Sequence, residues 1–326
     1  MNKILTALAV CAGIALQSVP GLATAQGTYP NKPLRVIVPF GPGSGLDLTV
    51  RLMSEKFTAM TGQRMYIDNK GGAGGIIGNE AIARSAPDGY TIGLSTINML
   101  SINPHLYKKL SYDPLKSFEH IMQVTQSNHT LAILPSLSAN NLKEFVAWVK
   151  QNPGKVSIAT NGAGTTPHLL AVLVNKHMGT DLVPIHYKGG GAAAKDFLGG
   201  QVQAIFGSPA QMIPHLRAGK AKILAIARSD RSPLLPNVPT FKELGYPDMV
   251  VDIWTAYIAP AGTPQPMIKK LHATFAQILE MPDVIKRLDE QGNAIIKSDP
   301  EHLRALIVGE LARWKEVVKE SGWQVR

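Results

Sequence analysis

An α/β fold with largely parallel sheets, divided into two discontinuous domains joined at a hinge, is what this chain predicts. Three observations predict it. Apolar strand-like runs alternate with periodic helix-like segments over most of the length. Glycine-rich turns follow several of the strands, notably at 41–45 and 162–164. Two long strand candidates, at 118–126 and 222–227, stand where the chain can cross between lobes. Crossing at both assigns 26–125 and 226–326 to lobe 1 and 126–225 to lobe 2. Ligands of such sheets bind at the carboxyl ends of strands.

Strands are expected at 34–39, 64–69, 90–95, 118–126, 130–134, 156–160, 183–187, 202–206, 222–227 and 251–258. In the first helix Leu46, Val50, Met53, Phe57 and Met60 recur at spacings of four and three, and Gly62 stops it. Asn141 opens another with Glu144 three residues on, and Leu142, Phe145, Val146 and Val149 form its apolar face. Thr166 followed by Pro167 reads as an N-cap with proline at the first helical position, and Gly179 closes that helix. Thr263-Pro264 repeats the device. Ser298 with Glu301 reads as a capping box for the last helix, whose core face is Leu303, Leu306, Ile307, Leu311 and Trp314.

The first twenty-five residues read as an export signal. Lys3 supplies positive charge, 4–16 an apolar core, and Ala23-Thr24-Ala25 a cleavage site, which places the mature protein in the periplasm. The apolar core is too short to anchor in a membrane. A lipoprotein cysteine at Cys11 fits less well, because bulky Val10 precedes it and the apolar run continues beyond. That cysteine is the only one in the chain, so the mature protein has no disulfide, thiolate nucleophile or thiolate metal ligand. The net charge of +10 is scattered over single Lys and Arg residues with only short doublets. A nucleic-acid protein would concentrate it and interleave aromatics, so no nucleic-acid partner is expected.

Catalytic motifs are missing. Gly41-Pro42-Gly43-Ser44-Gly45 only approaches a nucleophile elbow, since Pro42 stands in the wrong place. The nine histidines form no HExxH-like pair, and no metal or cofactor is expected. Gly189-Gly190-Gly191 fits a dinucleotide turn, yet no acid lies between Asp196 and Asp230 to hold a ribose. An exported serine hydrolase using Ser44 or Ser95 is the alternative enzyme reading.

Anion binding through backbone amides explains the glycine turns better, because the N–H groups of a helix start are unpaired and the dipole favours negative charge. Ser44, Thr96, Asn98, Asn161, Thr165 and Thr166 are neutral donors at strand ends or helix starts. Asp47 in a first helical turn, His168 in another, and Lys188 complete the candidates.

Longer motifs carry a family likeness: Pro39-Phe40-Gly41-Pro42-Gly43-Ser44-Gly45-Leu46-Asp47, the run from Asp68 to Gly75, Asn103-Pro104-His105-Leu106-Tyr107, and Ala259-Pro260-Ala261-Gly262-Thr263-Pro264. With these the chain resembles the extracytoplasmic solute-binding proteins of tripartite tricarboxylate transporters, the Bug family, from Tyr29 to Trp314. The resemblance implies a two-lobed periplasmic binding protein fold (type 2) whose lobes close on a small carboxylate. It implies first-lobe contacts from Phe40, Gly41, Gly43, Ser44, Gly45 and Asp47, from Gly72, Ala73 and Gly74, and from Thr96 and Asn98. Second-lobe contacts would come from Asn161, Gly164, Thr165, Thr166, His168, Lys188, Gly189 and Gly190. The implied partners are a small organic acid and the transporter's membrane subunits, or a sensor kinase's periplasmic domain, with the receptor itself a monomer. Two departures from the family pattern bear on the ligand. Ser44 stands where glycine is common, and Phe206-Gly207-Ser208-Pro209 stands where many members place an aspartate. Loss of that aspartate favours a dicarboxylate or aromatic acid over an amino acid.

Overall fold

The computed structural model of the protein describes residues 29–321, so the expected export segment and its cleavage site lie outside the described residues. Its strands in chain order are β1 (Leu34–Val38), β2 (Met65–Asn69), β3 (Thr91–Thr96), β4 (Phe118–Ser127), β5 (Thr130–Ile133), β6 (Ser157–Thr160), β7 (Val183–His186), β8 (Ala204–Gly207), β9 (Lys222–Ile226), β10 (Ile253–Pro260) and β11 (Ala294–Ile295). Each of the ten expected strands is present. The two-residue β11 is the addition, too short to leave a pattern in sequence.

Helices α1 (Gly45–Thr61), α2 (Ile76–Ala83), α3 (Asn103–Leu106), α4 (Leu142–Gln151), α5 (Thr166–Met178), α6 (Gly190–Leu198), α7 (Pro209–Arg217), α8 (Gln265–Ile278), α9 (Pro282–Glu290) and α10 (Pro300–Ser321) fill the connections.

Two sheets result, in the orders β11-β4-β10-β3-β1-β2 and β7-β6-β8-β5-β9. β1 lies parallel to β2 and β3, and β6 parallel to β7 and β8. The expectation of largely parallel sheets needs correction, because β10 runs antiparallel to β3 and β4, and β5 antiparallel to β8 and β9. The reason is connectivity. The chain leaves the first sheet on β4 and returns to it on β10, so the two neighbours must run in opposite directions.

Passage between the sheets occurs at residues 128–129 and again between Ile226 and Ile253. Asn128 ties the two passages together: its buried carboxamide donates to the carbonyls of Ala227 (3.1 Å) and Val251 (3.2 Å) and to Asp252 Oδ1 (2.8 Å). Alongside, Ala227 N–H donates to His129 O at 2.9 Å. His129 is buried here, and burial lowers its pKa to about 4, so its imidazole is neutral at pH 7.

One apolar cluster joins the first sheet to α1 and α8, with Val36, Val50, Phe57, Leu94, Tyr257 and Phe275 at its centre. Tyr257 stacks on Phe275 with ring centroids 4.2 Å apart. A larger cluster runs through both sheets, from Ile37 and Trp254 to Phe145, Leu170 and Phe206.

The caps follow the sequence with local corrections. Ser44 and Asn141 cap α1 and α4 with their side chains, and Gly62 and Gly179 end α1 and α5 at φ 70° and 62°. Thr165, not Thr166, occupies the N-cap of α5, which shifts Pro167 to the second helical position. Thr263 does not cap α8; its hydroxyl donates to Pro260 O at 2.7 Å, and Pro264 holds the cap position. Asp299 rather than Ser298 caps α10, accepting from His302 N–H at 2.6 Å. Ser298 Oγ instead accepts from Gln123 N–H at 2.9 Å and so pins that helix start to β4.

Candidate ligand-binding cleft

The first half of the cleft is a loop held from beneath. After β1 the chain turns through Phe40–Gly43 and enters α1 at Ser44, whose Oγ accepts from Asp47 N–H at 3.4 Å. Asp47 is buried under this loop with its side chain 1% exposed. Its carboxylate accepts from Gly43 N–H (2.8 Å), Arg51 Nε–H (2.8 Å) and Asn69 Nδ2–H (3.1 Å). Burial alone would raise its pKa, but these hydrogen bonds and the nearby guanidinium outweigh it and hold the carboxyl below its ordinary range. Asn69 also donates to Phe40 O at 3.0 Å, closing the loop's other end. Asp47 thus faces its own loop. Gly41, Gly43 and Gly45 remain exposed, with open space where a Cβ would stand. The N–H groups of Gly45 and Leu46 lie in the first turn of α1, where no intrahelical acceptor exists.

Beside it, Gly72, Ala73, Gly74 and Gly75 have φ values of 128°, 48°, 62° and 93°. Four consecutive residues with positive φ need glycine at nearly every place, and Ala73 is the strained exception. The neighbouring Gly71 lies against the first loop, since a Cβ there would meet Gly41 N at 3.3 Å. At the carboxyl end of β3, Thr96 is 4% exposed and its Oγ1 is buried without a hydrogen-bond partner among the described residues. Thr96 is opposite Thr255 of β10, which is in turn opposite Thr125 of β4. The last two share a hydroxyl contact of 2.8 Å.

The second half is built at the end of β6. Gly162 (φ 133°) and Gly164 (φ 79°) turn the chain from Asn161 into α5. Thr165 Oγ1 donates to Gly162 O at 2.7 Å, and Gly164 N–H donates to His168 Nδ1 at 3.3 Å. The ring of His168 meets that of His186 at 4.4 Å between centroids, and His186 Nδ1 contacts Thr160 Oγ1 at 2.7 Å. Burial, and secondarily His186, lowers the pKa of His168 to about 4, so it is a neutral group at pH 7. Gly189 (φ 123°) starts α6, and Gly190 lies over Asn161, whose Oδ1 would be 3.4 Å from a Cβ at 190. Gly190 O accepts from Gln211 Nε2–H at 2.9 Å. Lys188 is exposed at this turn.

The two halves touch directly. Asn98, which follows β3, donates from Nδ2 to Gly164 O at 3.0 Å and accepts at Oδ1 from Thr166 Oγ1 at 2.6 Å. All three are buried. Asn98 and Thr166, expected as ligand donors, therefore bond to each other across the sheets. Gly74 also approaches the opposite loop, with Ala163 O 3.7 Å from its Cβ position. Sequence reasoning missed Asn69 and Arg51, which serve Asp47, and Tyr107, whose hydroxyl lies 3.1 Å from a Cβ placed on Gly164. The motif holding Tyr107 was visible; its reach across the cleft was not.

Among the described residues neither serine is paired with a histidine, as the hydrolase reading would need. Ser44 Oγ serves its cap, and Ser95 Oγ is bonded to the Asn79 carboxamide within the core.

Two α/β sheets joined by a double passage, each presenting glycine turns toward the other, define a two-lobed solute-binding protein of the periplasmic type. The chain belongs to the family described as tripartite tricarboxylate transporter family receptor, whose model matches residues 49–323. Protein BugT of Bordetella pertussis is 34% identical over 327 residues, covering 100% of this chain and 99% of that protein. MatC of Rhodopseudomonas palustris, solved with bound malate, superposes with a TM-score of 0.82 at 31% identity, covering 89% of this chain and 100% of that one. R. palustris Rpa4515, solved with adipate, gives 0.84 at 27% identity, covering 90% and 98%. The family is one of receptors, not enzymes. Among the described residues no helix is long and apolar enough to cross a membrane.

Proposed function

We propose that this protein is an exported, non-catalytic receptor that captures a small organic acid, a dicarboxylate in particular, between its two lobes. It then presents the acid to the membrane subunits of a tripartite tricarboxylate-type transporter. The observation that carries the reading is the pairing of two glycine turns, an exposed one at the start of α1 and a largely buried one at the start of α5, together with the buried Thr96 hydroxyl, which has no partner among the described residues. A carboxylate would accept from the Gly41–Gly45 turn and from Thr96. Asn161, the Gly162 and Ala163 amides and the Gly189–Gly190 amides would hold the acid from the other side, while the Gly164 N–H and the Thr165 N–H and hydroxyl keep the turn in shape.

Neutral His168 accepts from Gly164 N–H and so orients that turn. Recognition by neutral donors fits an acid held by hydrogen bonds without a buried salt bridge. The dicarboxylate preference draws on the segment 206–209, where the family resemblance implies an aspartate in many members and this chain has none; its Ser208 caps α7 through Gln211 N–H (3.3 Å). The malate and adipate bound by two relatives agree with it.

Calorimetric and thermal-shift titration against mono-, di- and tricarboxylates tests the reading. A true ligand at 100 times Kd stabilises the fold by about 2.7 kcal/mol. If no organic acid moves the melting curve, the receptor assignment is lost.

A further inference from the structure

We infer that Tyr107 is a further ligand-contacting residue, whose hydroxyl donates to the second carboxylate of the bound acid and selects diacids over monoacids. The inference rests on the carboxylate-receptor reading and adds to it a residue and a selectivity.

Tyr107 follows α3 directly, on the first-lobe side of the cleft. A Cβ on Gly164 would stand 3.1 Å from its Oη, and a Cβ on Gly74 would stand 3.6 Å from the same atom. The phenol oxygen therefore sits at the seam between one glycine turn of each lobe. Glycine at both places is what leaves it room. The oxygen forms no hydrogen bond with another described residue, whereas Tyr112 nearby donates to Met99 O at 2.8 Å. Burial raises the pKa of Tyr107, so the phenol is a protonated donor at neutral pH.

A half-buried phenol with both its donor and acceptor capacity unused is completed by a partner entering the cleft. The amide turns at α1 and α5 and the Thr96 hydroxyl account for one carboxylate. A second carboxylate reaching the seam would find Tyr107 as its donor. The rival role for this residue is a strut that merely spaces the lobes, a task that the Asn98 bonds already perform.

Matched acids separate the two roles. Wild type and Tyr107→Phe would be titrated with succinate against butyrate, and with adipate against hexanoate. These pairs differ only in the second carboxylate. A hydrogen bond to a charged acceptor is worth roughly tenfold or more in affinity. The expected result is that the diacid-to-monoacid affinity ratio of the bound pair narrows about tenfold in Tyr107→Phe, with the ligand-free melting temperature unchanged. An unchanged ratio, whether from no loss or from equal loss for both acids, overturns the inference and leaves the receptor reading standing. Wild-type protein that binds none of the four acids removes the inference together with the dicarboxylate reading beneath it.

Discussion

The loop at 40–47 and the loop at 161–168 occupy corresponding places in the two lobes, yet they are held in opposite ways. The first is fixed within its own lobe: Asp47 lies beneath it and gathers Gly43, Arg51 and Asn69 onto one carboxylate. The second has a lighter internal frame, a hydroxyl bond from Thr165 and a neutral histidine accepting from Gly164. Its remaining support crosses the cleft, from Asn98 to Gly164 O and Thr166. On the proposed reading, one half-site is preformed, while the other is completed when the lobes meet. Affinity then depends on the population of the closed state as well as on contacts to the acid.

The strongest way to break this contrast is Asp47→Ala. It leaves Gly43 N–H and the Asn69 carboxamide without their acceptor inside a folded loop. We expect a loss of about 3 kcal/mol in urea unfolding at unchanged m-value, and binding weakened at least tenfold. Full retention of stability would mean that the loop holds itself without the carboxylate.

Asn98→Ala attacks the other half without touching the first. Both cross-cleft bonds go, and the closed state loses about 2 kcal/mol, a roughly thirtyfold weakening of acid binding. Small-angle scattering of the ligand-free variant should show a larger radius of gyration than wild type. Unaltered scattering together with unaltered Kd would remove the idea that the second half-site is finished across the cleft.

The strands were legible because each is an apolar run fenced by glycine, proline or polar residues, and the helices because their apolar residues recur at three and four. The errors fell where two adjacent residues could do the same job. Thr165 and Thr166 are both good caps, as are Ser298 and Asp299, and tertiary hydrogen bonds take one of each pair away, Thr166 to Asn98 and Ser298 to Gln123 N–H. Asp47 was visible as an acid in a first helical turn, but not as the anchor of its loop, since Asn69 comes from a different strand. Asn98 and Tyr107 show the larger gap. The residues they meet across the cleft, Gly164 and Thr166, lie more than fifty residues away, and no local pattern encodes a contact that only the folded lobes create.

Acid sharpens the comparison further, because the two histidines held lowest lie in the passage and in the second lobe, although burial also shifts His105 and His120 of the first lobe down. His129 and His168 have folded pKa values of about 4, below the ordinary 6.5. The unfolded chain therefore binds more protons between those values. Stability is full above pH 6.5 and falls as pH drops toward 4, by up to about 1.4 kcal/mol per pH unit for each group. Unfolding free energies at pH 7 and pH 5.5 should differ accordingly, and His168→Asn should reduce the slope. A flat profile in wild type would show that neither ring is held neutral by burial.

The smallest effect expected distinguishes the two helix starts themselves. Ser44 accepts from Asp47 N–H through a long 3.4 Å bond, and the loop around it is already secured by the carboxylate. Ser44→Ala should cost only about 0.5 kcal/mol, the low end for a lost cap. Thr165 makes no side-chain capping bond; its hydroxyl closes the turn onto Gly162 O instead. Thr165→Ala therefore releases the turn and not the helix, and its effect should appear in acid binding more than in the melting temperature. Measured side by side, Ser44→Ala should shift stability slightly and Kd little, while Thr165→Ala does the reverse. Equal stability losses in both would mean that the second turn is as self-supporting as the first, and the asymmetry between the half-sites would then rest on Asn98 alone.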